Sequence, residues 1–132
     1  MKAYIKNATA NSPKILFDPE NNYFEISGDS RPEHVSDFYE PIYLWLDSYL
    51  AELISQNQKN EICLKIQLNY FNSASEKSLL RVAKKMFPYI EAGISVVIEW
   101  YSIEEDDDML DVGEDFQELS KVPFVFKTIP NE

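Results

Sequence analysis

The apolar residues of this chain change period twice between Ile42 and Ile90, and that switch restricts the fold more than any other feature. Ile42, Trp45, Leu46, Tyr49, Leu50 and Leu53 recur at i, i+3, i+4, i+7, i+8 and i+11, the one-sided stripe of an amphipathic helix. Ile62, Leu64, Ile66 and Leu68 then alternate with Cys63, Lys65, Gln67 and Asn69, which predicts a strand with one apolar face. Leu79, Leu80, Ala83, Met86, Phe87 and Ile90 return to helical spacing, with Lys77, Arg81, Lys84 and Lys85 on the opposite face. Strands alternating with helices imply a layered α/β domain with a mixed, largely parallel sheet and helices packed on it.

The flanks extend this pattern. Lys14–Asp18 and Tyr23–Ser27 are short β-prone runs separated by Pro19-Glu20-Asn21-Asn22, which reads as a hairpin; Tyr4 to Ala8 adds an edge strand. Ser30 and Glu33 have the spacing of a helix-capping box, and Pro41 removes an amide donor, predicting a break near Tyr39–Pro41. A second capping box, Ser73 with Glu76, opens the helix that Gly93 ends. Ile94–Tyr101 reads as a central strand. The acidic stretch after it opens a third helix with Met109, Val112, Phe116 and Leu119 inward. Phe124–Ile129 is a last strand. The expected order is β-hairpin, α, β, α, β, α, β in a single domain over residues 1–132.

Composition narrows the function. With 45 % apolar and 14 % aromatic residues in 132, the chain can bury a core and is too hydrophobic to be disordered. Its net charge of −11 is concentrated: residues 99–118 hold ten acidic residues and no Lys or Arg, and the remainder has thirteen acids against twelve bases. Nucleic acid and anionic membranes both require cations that this surface lacks. One cysteine, Cys63, forms no internal disulfide. No apolar run reaches the length of a signal peptide or a membrane span, so a cytoplasmic location is expected.

Enzyme signatures are sparse. The three glycines are isolated, so there is no phosphate-binding glycine loop. Cys63 with His34, the one histidine, is the sole candidate nucleophile pair, and Cys63 lies mid-strand. Soft ligands are too few for zinc. The run Glu104–Asp108 lacks the alternation and glycine turn of a calcium loop. No cofactor and no metal is expected.

The segment from Leu68 to Lys77 is the place where chemistry converges. A strand ending there opens onto a helix start, whose free amides and positive dipole favour an anion. Spacing leaves Ser73 two roles: a helix cap, or a hydroxyl at the rim within reach of another protein's active site. Lys77, one turn on, could pair with a phosphate. The same donors would also suit a small phosphorylated ligand such as a nucleotide, a second reading; a metal-assisted enzyme built on the acidic segment is a third.

In order along the chain stand Ser12-Pro13, Ile15 and Phe17-Asp18; Gly28-Asp29-Ser30-Arg31-Pro32-Glu33; Phe38-Tyr39 and Pro41-Ile42 to Trp45-Leu46. Then come Tyr70-Phe71-Asn72-Ser73-Ala74-Ser75 with Lys77, Trp100-Tyr101, Asp107-Asp108-Met109, Gly113-Glu114-Asp115-Phe116 and Pro123-Phe124. In this order and spacing the chain resembles the SiaC-type regulatory phosphoproteins, whose fold is similar to the STAS domains of anti-sigma-factor antagonists. The family's Asn-Thr-Ser-Ser-like run before a Lys carries phosphate on its first hydroxyl residue, a position that falls on Ser73. Here Ser replaces Thr and Ala74 replaces the next Ser, leaving Ser75 as the second candidate.

The resemblance implies a non-enzymatic partner-switching protein. A Ser/Thr kinase of the histidine-kinase-like ATPase type would phosphorylate it and a PP2C-type phosphatase would reverse this. The unmodified form would bind an effector, such as a diguanylate cyclase in cyclic-di-GMP and biofilm control. The docking surface is expected to include Tyr70, Asn72, Ser75 and Lys77.

Overall fold

The structure, a computed structural model, describes residues 1–131. It contains β1 (Tyr4–Lys6), β2 (Lys14–Asp18), β3 (Tyr23–Ser30), α1 (Val35–Ser55), β4 (Ile62–Phe71), α2 (Ser73–Lys85), α3 (Phe87–Glu91), β5 (Val96–Ile103), α4 (Asp107–Ser120) and β6 (Phe124–Ile129). The order is the expected one with a short helix added. One six-stranded sheet follows chain order, β1 to β6; the β1–β2 and β2–β3 pairs are antiparallel and the rest parallel.

Because each parallel strand is laid beside the last, crossovers of one hand put the helices on one face of the sheet. The strand residues that meet them are buried: Ile15 and Phe17, Phe24 and Ile26, Ile62 to Leu68 at every second position, Ile98 and Trp100. Their alternates, among them Glu25, Lys65 and Glu99, form the half-buried opposite face. Tyr39, Ile42, Leu46, Tyr49 and Leu53 of α1 and Leu79, Val82 and Ala83 of α2 supply the facing layer.

Several local expectations change. Ser30 ends β3 and is fully buried, and α1 starts at Val35 after His34. Ser30 is therefore the last residue of a strand, not a helix cap, and the chain bends at Glu33 and His34 before α1. Helix α1 runs through Pro41 unbroken. Pro41 falls early in the helix on its exposed side, where the carbonyl it leaves unpaired can be hydrated. The helix expected to reach Gly93 is instead two: α2 ends at Lys85, and Pro88, which cannot donate to the preceding turn, lies in the first turn of α3. Leu119 faces solvent, at 56 % exposure, and Phe116 and Gly113 take the inward positions of α4.

Candidate functional site

The parallel ladder between β4 and β5 stops at Ile66–Trp100, while β4 continues to Phe71 beside β3. The two strands thus part at their C-terminal ends, the place where parallel α/β sheets open crevices. A bulge assists: Gly28 pairs with Leu68 and Asp29 with Tyr70, so Asn69 is skipped. Gly28 adopts φ +110 there, a conformation glycine accepts without strain.

At the end of β4 the chain turns directly into α2. Asn72, not Ser73, is the cap: its side-chain oxygen accepts from the Ser75 amide at 2.9 Å, and its own amide donates to the Ser30 carbonyl at 3.1 Å. Ser73 is therefore the first residue of the helix, exposed and without a capping task. Ala74 and Lys77 are exposed beside it.

Ser75 is a correction. Its position three residues after the cap turns it inward on the same side as Leu79, and it is 0 % exposed. Tyr39 Oη lies 2.6 Å from Ser30 Oγ, which donates to Ser75 Oγ at 2.8 Å. This chain of hydroxyls ties α1, the end of β3 and the first turn of α2 together beneath Ser73. Burial pushes the Tyr39 phenol well above its ordinary range, so it remains a donor. Ser75, expected as a second candidate hydroxyl and as part of a docking surface, is thus buried away from the molecular surface.

The surface around Ser73 has two sides. On one, the Arg31 guanidinium stands 5.8 Å from the centre of the Tyr70 ring, itself 49 % exposed, and Lys77 borders a shallow groove with Glu40, Tyr43 and Arg81. On the other lies the acidic start of α4. Sequence reasoning missed the roles of Ser30 and Tyr39 because the chain of hydroxyls they form closes on Ser75, 45 residues after Ser30. Among the described residues no group of three His, Cys, Asp or Glu side chains converges as metal ligands, and no helix is long and apolar enough to cross a membrane. Cys63 is half-buried, its thiol pushed up by burial and by neighbouring Glu99, which makes it a weak nucleophile.

A sequentially ordered mixed sheet with a solvent-facing hydroxyl at one strand-to-helix junction defines a small α/β module. The chain belongs to the SiaC family of regulatory phosphoproteins, whose family model matches residues 6–129. It is 22 % identical over 119 residues, 90 % of each chain, to an uncharacterised protein of Pseudomonas aeruginosa strain UCBPP-PA14. Its fold is similar to that of SiaC of Pseudomonas aeruginosa, with a TM-score of 0.83 at 21 % identity, covering 98 % of this chain and 100 % of the other. It is equally similar, at 0.83 and 21 %, to a chain in the crystal structure of the diguanylate cyclase SiaD in complex with its activator SiaC from that organism, covering 96 % and 99 %.

Proposed function

We propose that this protein is a non-enzymatic, cytoplasmic partner switch whose state is written on Ser73. The observation that carries the reading is the contrast at the start of α2: Ser73 is exposed and free of any capping role, while Ser75 is locked in the core. A phosphate on Ser73 would meet the free amides and positive dipole of the α2 N-terminus. Lys77 and Arg31 supply nearby positive charge. A Ser/Thr kinase of the histidine-kinase-like ATPase type would add the group and a PP2C-type phosphatase would remove it.

The unmodified surface, Tyr70, Asn72, Ser73 and Lys77, would bind an effector. A SiaC is the activator of a diguanylate cyclase in the complex cited above, which makes a cyclase the effector to try first. Phosphorylation brings about −1.5 to −2 charges and three acceptor oxygens. An effector fitted closely to the bare hydroxyl would lose affinity through both bulk and charge. The nucleotide-binding alternative has less support. The groove that Lys77 borders holds about 200 Å³ and includes the Glu40 carboxylate, which repels a phosphate; it falls short of the several hundred Å³ of a ligand pocket.

The test is a titration of a diguanylate cyclase from the same organism as this protein with unmodified, phosphorylated and Ser73→Asp forms. Tight binding by the first alone is expected; equal affinity of all three would refute the switch. Mass spectrometry after kinase and ATP treatment should place phosphate on Ser73, and full phosphorylation of Ser73→Ala would move the site.

A further inference from the structure

The parting of β4 from β5 leaves a groove of about 360 Å³ between the end of β4 and the first turn of α4. Tyr70, Phe71, Met109 and Val112 give it apolar walls, and Asp106 and Asp108 stand at its rim. Trp100 sets its geometry from below: its indole packs edge-on against Phe71 at 6.3 Å and donates from Nε1 to the Met109 carbonyl at 2.9 Å. Both walls are thereby anchored to one buried side chain, so the groove is preformed.

Its charge is uncompensated. None of the ten acidic residues between 99 and 118 takes part in a salt bridge among the described residues; the four ion pairs use Glu25, Glu40, Asp47 and Glu52 instead. One Asp106 oxygen accepts from the Met109 amide, leaving the other free. Glu104, Glu105 and Asp107 extend the same field, all exposed. A cation arriving at these carboxylates displaces no ion-pair partner; Arg31, which stands 5.8 Å from the centre of the Tyr70 ring, pairs with none of them.

We infer that this groove is the seat for an arginine of a protein partner, flanked in that partner by aliphatic residues. A guanidinium's fork can reach the rim carboxylates Asp106 and Asp108, and its apolar neighbours match Phe71, Met109 and Val112. Lysine offers a point charge without the planar fork that two neighbouring carboxylates can share. Tyr70 directly precedes Phe71, Asn72 and Ser73, so the groove and the hydroxyl belong to one docking face. This inference rests on the proposed switch for its biological setting, but the groove's chemistry can be tested separately. The acidic field also speeds encounter with a basic partner, in a manner that salt suppresses.

Two measurements decide it. In the first, the isotope-labelled protein is titrated by NMR with acetyl-Leu-Arg-Leu-amide and with acetyl-Leu-Glu-Leu-amide. Shifts centred on the amides of Asn69, Tyr70, Met109 and Val112 are expected with the arginine peptide alone. They should weaken at least fivefold in Asp106→Asn/Asp108→Asn, a pair of changes that keeps a capping side chain at 106. Shifts spread evenly over residues 99–118, or equal shifts from both peptides, would overturn the inference.

In the second, the cyclase is titrated with wild type and the same double variant. A tenfold or greater loss with a flattened salt dependence supports the groove. Unchanged affinity and salt dependence in a variant with a wild-type Tm would remove the groove and leave the Ser73 switch standing. If wild type itself binds no cyclase, the switch reading fails and the peptide titration alone judges the groove.

Discussion

Gly113 of α4 lies against the indole of Trp100 with no room for a β-carbon: one built there would stand 2.5 Å from Cδ1 and 2.6 Å from Nε1. Trp100 is held on its other sides by Phe71, Phe116 and Phe124, so it has nowhere to retreat. Gly113→Ala should therefore destabilise the fold by about 1–3 kcal/mol through overpacking, although alanine is the better helix former. Denaturant unfolding checks this. A gain in stability would show that α4 can slide on the sheet.

The hydroxyl chain beneath Ser73 separates two serines that look alike in sequence. Ser75→Ala leaves the Ser30 hydroxyl without its buried acceptor, a loss of about 1–3 kcal/mol. Tyr39→Phe should act in the same direction. Ser73→Ala touches no such partner and should change stability by no more than about 0.5 kcal/mol. Chemical denaturation of the three variants would rank them.

Asn72 has a capping role that can be divided from any role in docking. Asn72→Ala should cost about 0.5–2 kcal/mol, whereas Asn72→Ser keeps an oxygen for the Ser75 amide and should retain most of the stability. If both variants unfold alike, the cap contributes nothing and the α2 start is held by the hydroxyl chain alone.

On the open face of the sheet, Tyr23 Oη and Ser27 Oγ both donate to Glu25, each at 2.6 Å, and Lys14 lies 3.5 Å from it. Burial opposes ionisation of Glu25, but the donors and Lys14 outweigh it and hold its pKa below the ordinary 4.5. A carboxylate with a depressed folded pKa stabilises above its unfolded value and loses that contribution as pH falls through the folded one. Glu25→Gln should therefore flatten the decline in stability below about pH 4.5. The paired phenol moves oppositely. Its bond to Glu25, then burial, then the carboxylate charge push Tyr23 up to about 12 from 10.0. Its contribution is whole below pH 10 and is lost as pH rises towards 12, so Tyr23→Phe should blunt the alkaline loss. Thermal melts across both ranges, with absorbance titration of the phenols, test the pair.

Much of this was legible in the chain. Elements whose apolar spacing is unambiguous, the Ile62–Leu68 strand and the stripe from Ile42 to Leu53, appear where periodicity puts them. Their ends were harder to read, because caps and turns compete within one or two residues. Ser30 and Ser73 both sit three residues before a Glu, yet one finishes a strand in the core and the other follows the true cap. Pro41 and Pro88 have the same chemistry; one lies within an unbroken helix and the other divides two, according to the packing around each.

By itself, then, the sequence determined the order of strands and helices, the inward faces of the long elements and the acidic character of the stretch after Trp100, because these follow from spacing and charge along the chain. Only the tertiary structure decided that Ser75 is buried while Ser73 is free, that Tyr39 and Ser30 stand beneath them, and that Tyr70 shares a groove with Met109 and Asp106. Those outcomes depend on where distant segments meet, and side-chain burial at a helix start is set by the partner across the layer, not by local periodicity.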